Sequence, residues 1–165
     1  MTADEGRPPP NRADVLATFR TVVLGSNRGA PRRTVLIGLG LGLVVLTFLA
    51  YELDIFYDSG GVVFIPFHAA LVGLAAAFWT GYSRTGLLSG WALTFLSFLG
   101  WRAEWATEIS PRPPVERVAY VVRPDGLVAL AIIGLGVAAI GFTAGALTRR
   151  GIDAVRTGSR TASDT

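Results

Sequence analysis

The stretch from Val62 to Trp101 constrains the chain more than any other. Two apolar segments, VVFIPFHAALVGLAAAFWTGY and TGLLSGWALTFLSFLGW, follow each other with only Ser83 and Arg84 between them. An α-helix rises 1.5 Å per residue, so about 20 residues cross a hydrocarbon core of roughly 30 Å. Each segment reaches or nearly reaches that length, and so short a link permits only an antiparallel helical hairpin. The pattern predicts an integral membrane protein. Composition agrees: 51% of the 165 residues are hydrophobic and only 16% are charged.

Two further apolar runs extend the reading to four spans, at 34–53, 62–82, 85–101 and 127–148. The expected fold is therefore an all-α integral membrane protein, a four-transmembrane-helix bundle. Arg32-Arg33 ahead of the first run also matches a twin-arginine export leader. That run starts late, exceeds the ~7–15 residues of a leader core and lacks a small-x-small site before Tyr51, so an anchor is expected. Residues 1–33 are expected to form a cytoplasmic tail. Within it Val15, Leu16, Phe19, Val22 and Val23 recur at helical spacing between Arg12 and Arg20, which predicts a short amphipathic helix over Ala13 to Leu24, capped by Asn11 or Asp14. Residues 149–165 are expected to be a solvated cytoplasmic tail. Between the third and fourth spans, Trp101 to Trp105 suggests a helix running on towards Ile109. Val115 to Val122 is too short to span and predicts one or two interfacial turns.

Orientation follows from arginine, the chain's sole strong cation because lysine is absent. Arginine-only usage reads as the codon bias of a GC-rich genome, and a prokaryotic plasma membrane is the expected location. Arg7, Arg12, Arg20, Arg28, Arg32 and Arg33, the turn residue Arg84, and Arg149, Arg150, Arg156 and Arg160 all fall on one side of a four-span chain. The other side has the acidic loop with Asp54 and Asp58, and a long second loop of balanced charge. The positive-inside rule then puts both termini in the cytoplasm. Trp79, Tyr82, Trp101, Trp105, Tyr51 and Tyr57 lie near predicted ends, where an aromatic belt would form; Trp91 lies inside the third span and is expected to pack.

Lipid offers no hydrophobic drive between helices, so close packing requires small residues. Ala69, Gly73, Ala77 and Gly81 form one stripe. Gly86, Gly90, Thr94 and Ser97 form another, and Gly134, Ala138, Gly141 and Gly145 a third. Gly38 and Gly42 mark the first span. The segment from Gly134 to Ala139 loosely fits a dinucleotide fingerprint, but it lies within an apolar helix with no preceding strand.

Candidate functional residues are few. His68, the single histidine, is expected about two turns inside the second span, where an ionisable group is a functional candidate. It could relay a proton, join a metal site, or pair with Glu52 or Glu104; the plain alternative is a neutral imidazole bonded to a backbone carbonyl. Glu52, Asp54, Asp58, Arg102 and Glu104 could form an acidic mouth that draws in cations, or simply be solvated boundary charges. Without cysteine, thiolate metal sites, thiol nucleophiles and thioether-linked haem are excluded. No cofactor, metal site or nucleic-acid partner is expected; the expected partners are the lipid bilayer and a homo-oligomer or membrane-complex partner. Ser89 lacks the glycine two residues before it and the downstream histidine that a rhomboid-type protease needs. In size and span count the chain resembles small multidrug-resistance pumps, but their first-helix membrane glutamate has no counterpart. The expected function is an accessory or structural membrane component, because no span carries a charge at its middle; a small oligomeric ion or solute transporter or channel is the alternative.

Overall fold

The computed structural model describes residues 12–25, 30–56, 66–108 and 113–163, with side chains left undescribed at 30–33 and 158–163. It is all-helical over these residues. Six helices follow in order: α1 Arg12–Leu24, α2 Ala30–Glu52, α3 Phe67–Tyr82, α4 Leu87–Glu108, α5 Pro114–Val121 and α6 Pro124–Ser163. Asn11, Asp58 and positions 62–65 lie outside the described residues.

Two helices are long and apolar enough to cross a membrane, Thr34–Glu52 of α2 and Pro124–Thr157 of α6. The hairpin that dominates the sequence is built differently from its expected bounds. Helix α3 begins at Phe67 and has 16 residues, about 24 Å of helix. Pro66 precedes it in extended conformation and supplies no side-chain cap. His68 is thus the second residue of α3 and not two turns inside it. Helix α4 begins at Leu87, not Thr85, and runs past Trp101 to Glu108. The tail expected after Thr148 is helical through Ser163, continuous with α6. Nothing from Gly145 to Ser163 breaks it: there is no proline, and Gly151 alone costs only about 1 kcal/mol. Helix α5 matches the interfacial turns expected near Val115. Helix α1 also forms where expected; its Val15, Leu16 and Phe19 are exposed.

The α3–α4 hairpin is the centre of the bundle. Helix α3 packs against α4 and α6, and α4 packs against α2, α3 and α6. Glycine makes this closeness possible. A methyl added at Gly145 would overlap the Phe78 carbonyl oxygen, and one at Gly81 would overlap that of Phe142. At Gly141 it would meet Leu74 O at 2.6 Å, at Gly73 Thr94 Cγ2 at 2.6 Å, and at Gly90 Thr80 Oγ1 at 2.6 Å. Ala77 is fully buried on the same seam. Gly134 has more room, with Phe98 ring atoms at 3.6 Å. Two expectations are corrected. Gly38 and Gly42 face open space, and Gly40 is the α2 glycine that meets α4, through Leu96. Gly86 lies outside α4, in the turn, with φ of +104°, and abuts Gly25, Leu24 and Val23 at the end of α1.

Interhelical hydroxyl bonds run along the seam. Ser97 donates to Ala69 O at 2.9 Å, and its Oγ lies 3.3 Å from Thr47 Oγ1. Thr94 Oγ1 lies 3.0 Å from both Gly73 O and Gly90 O. Trp91 Nε1 donates to Ala131 O at 2.9 Å and ties α4 to α6. Such bonds each contribute about 0.6 kcal/mol between helices in lipid. Replacing Thr94 by valine keeps the volume and removes the donor. It is expected to cost about 1 kcal/mol in a chemical-unfolding titration.

The α3–α4 turn closes α3 with a Schellman motif. Thr85 N–H donates to Thr80 O at 3.0 Å and Arg84 N–H to Gly81 O at 3.4 Å. The left-handed position that the motif requires is held by Arg84 (φ 59°). Glycine usually occupies it, because an L side chain there costs about 1–2 kcal/mol.

Candidate functional site at the His68 end

Helix α2 ends where Asp54 turns left-handed (φ 55°), a conformation aspartate tolerates better than most residues. Asp54 N–H then reaches Tyr51 O at 3.0 Å and Phe56 N–H reaches Ala50 O at 2.8 Å. The curl folds Phe56 back on the bundle. Its ring lies edge-on to Tyr51 (5.4 Å, 74°) and stacks on His68 (5.0 Å, 9°). Phe67 meets His68 from the other direction, at 5.7 Å and 80°. The half-buried imidazole is therefore held by aromatic contacts on its face and edge.

Tyr51 is the residue that sequence reasoning undervalued. Read as a belt aromatic, it is buried, and its hydroxyl oxygen accepts the Ala69 N–H at 3.4 Å. Ala69 is in the first turn of α3, where backbone N–H groups lack intrahelical partners. Pro66 offers no side-chain acceptor, so α2 supplies one. A proline just ahead of a helix was the available signal that the cap must come from elsewhere.

Glu104 is buried, 6% exposed, on the face of α4 one turn beyond Gly100. A methyl at Gly100 would meet Val44 O at 2.5 Å, so α2 and α4 are in backbone contact just below it. A carboxylate at that depth costs energy unless it is bonded, and Glu104 is engaged with neighbours. Glu52 and Asp54 are exposed. They form a solvated rim rather than part of a cavity wall, and Asp58 lies outside the described residues. Among the described residues, no three His, Asp or Glu side chains group closely enough to hold a metal ion.

Arg102 faces the other way. Its Nε donates to Val121 O at 3.0 Å and its Nη2 to Tyr120 O at 2.9 Å. The guanidinium lies 4.8 Å over the Tyr120 ring. It presses so closely on Gly126 that a methyl there would overlap it. Arg102 thus caps the C-terminus of α5, where carbonyls lack partners and a cation is favoured. Replacing Arg102 by glutamine should release α5 from the bundle. With charged hydrogen bonds worth about 1.5–3 kcal/mol, tryptic cleavage at Arg117 should speed up about tenfold or more.

The candidates therefore divide. His68 and Glu104 are turned into the bundle, Arg102 organises the α5 loop, and Glu52 and Asp54 face outward. Comparison with protein-family models, with curated proteins and with solved structures finds no match to this chain.

Proposed function

We propose that this is a four-span α-helical membrane protein of a prokaryotic plasma membrane, with both termini cytoplasmic, serving as a non-catalytic accessory or structural component. Helices α2 and α6 meet the length and hydropathy that spanning requires. The shorter α3 and the Trp101–Glu108 extension of α4 fit the same slab, because the hairpin occupies the centre and is sheathed by its neighbours. The arginine pattern gains support from contact at one end. Arg84 of the α3–α4 turn and Arg149 of α6 both lie 3.7 Å from Asp153, as expected if the turn and the end of the last span share a side.

The observation that carries the functional reading is how the buried hydroxyls are used. Thr47, Thr80, Thr94 and Ser97 each bond a backbone carbonyl or a hydroxyl of another helix. They hold the bundle together. The recorded groove, about 260 Å³ between α2 and α4, is lined by Leu36, Ile37, Leu88, Ser89, Ala92, Leu93 and Leu96 and is apolar.

Topology is testable because the chain has no cysteine. Cysteines placed singly at Ser59 and Asp125 should react with an impermeant maleimide from outside, and one at Thr157 should not; the reverse labelling would refute the orientation. Purification in mild detergent should recover a stoichiometric membrane partner. A pH-dependent proteoliposome flux that His68→Ala abolishes would overturn the accessory reading in favour of a small transporter.

A further inference from the structure

We propose that the Arg84 end of the bundle binds the phosphodiester of an anionic membrane lipid, held by Arg84 and Arg149 with Tyr82 and Trp79 beside it. The proposal rests on reading the chain as a membrane protein and adds to that reading a ligand and a site.

Arg84 is the first observation. It occupies the left-handed position of a Schellman turn, where glycine would fit without strain. Its side chain is 63% exposed, and its recorded partner is Asp153 at 3.7 Å, beyond ordinary hydrogen-bond length. Local contacts do not offset the backbone strain. Strain that local packing does not explain points to a use for the side chain.

Arg149 is the second. Its Nη1 donates to Tyr82 O at 2.8 Å, and the guanidinium lies 5.8 Å from the Tyr82 ring centre. That fixes the group against the end of α3. Its Nε is buried without a hydrogen-bond partner, 3.7 Å from the same Asp153 oxygen. Two guanidiniums thus converge on one carboxylate, which leaves a net positive charge and unused N–H donors. A phosphodiester carries one negative charge and two free oxygens, and matches such a pair of planar donors.

The surroundings select a lipid over dissolved phosphate. Trp79 is exposed and 6.3 Å from Tyr82, ring to ring. Phe78 and Leu147 expose apolar surface nearby on α3 and α6. Amphipathic rings at the end of an apolar helix belong at headgroup depth, with acyl chains alongside. Inner-leaflet anionic lipid attracts such arginine clusters.

The experiment uses purified full-length protein in neutral detergent, with thermal unfolding read after adding phosphatidylglycerol, phosphatidylcholine or inorganic phosphate. Phosphatidylglycerol should raise Tm well above the other two. Arg84→Gly should unfold no earlier than wild type without lipid, since glycine relieves the turn, yet lose about half or more of the phosphatidylglycerol increment. Asp153→Asn, which removes the competing carboxylate, should enlarge the increment. A full increment in Arg84→Gly would overturn the proposal, and an equal effect of inorganic phosphate would reassign the site to a free anion. Protein that stays monodisperse after detergent removal, before any lipid is added, would instead overturn the membrane reading beneath it.

Discussion

Replacing Gly145 with leucine is expected to pry α3 from α6 and lower the stability of the bundle by about 3 kcal/mol or more, a fall in Tm of roughly 10 °C. The obstacle is backbone. A Cβ at Gly145 would overlap the Phe78 carbonyl and come within 2.9 Å of Tyr82 N, and neither can move without shifting α3 as a whole. Flexible side chains give way at small cost, but a helix main chain does not. Gly136 is the control, because it lies on the same helix with nothing within 4 Å of its added Cβ. Gly136→Leu should change Tm little. Equal effects at the two positions would show that α6 does not pack on α3 through this seam.

Phe98→Ala should have the next largest effect. Phe98 is the largest fully buried side chain among the described residues, packed with Tyr51, Ala69 and Leu130. In water such a truncation costs about 3–5 kcal/mol, combining lost transfer energy with the cavity left behind. In a bilayer the separated helices remain in hydrocarbon, so most of the transfer part cancels and the cavity part stays. The expected loss is therefore nearer 2–3 kcal/mol, measured by unfolding in detergent–lipid mixtures. Leu135→Ala, at an exposed position of α6, should cost little in the same assay. A loss of the full aqueous size would indicate that unfolding brings α4 into water.

Much of the seam is readable from spacing. Gly73, Ala77, Gly90, Gly141 and Gly145 recur at three- and four-residue intervals, which stack on one helix face. The same rule misplaces Gly38, Gly42 and Gly86. On α2 the rows through Gly38 and Gly40 are both plausible helix faces, and only the position of Leu96 selects Gly40. Gly86 continues the α4 period in sequence, but the chain leaves the helix there because two positive-φ neighbours, Arg84 and Gly86, close the turn.

The candidate site was less legible. Its residue types stand out in so apolar a chain, yet their roles depend on neighbours far away in sequence. Arg102 caps a helix about 18 residues downstream, and Tyr51 caps one 18 residues on. His68 lies near the helix start because the described part of α3 begins only after Pro66.

By itself, then, the sequence determined that the chain is helical and fit for lipid, since apolar run length and period are local properties of consecutive residues. It also determined which side gathers arginine. The tertiary structure decided which glycines meet backbone, that Arg84 is strained and pointed at Asp153 beside Arg149, and that Glu104 is buried while Glu52 is not. Those outcomes turn on the rotation of each helix about its axis. Rotation is set by the sum of many weak contacts with other helices, and no single segment encodes it.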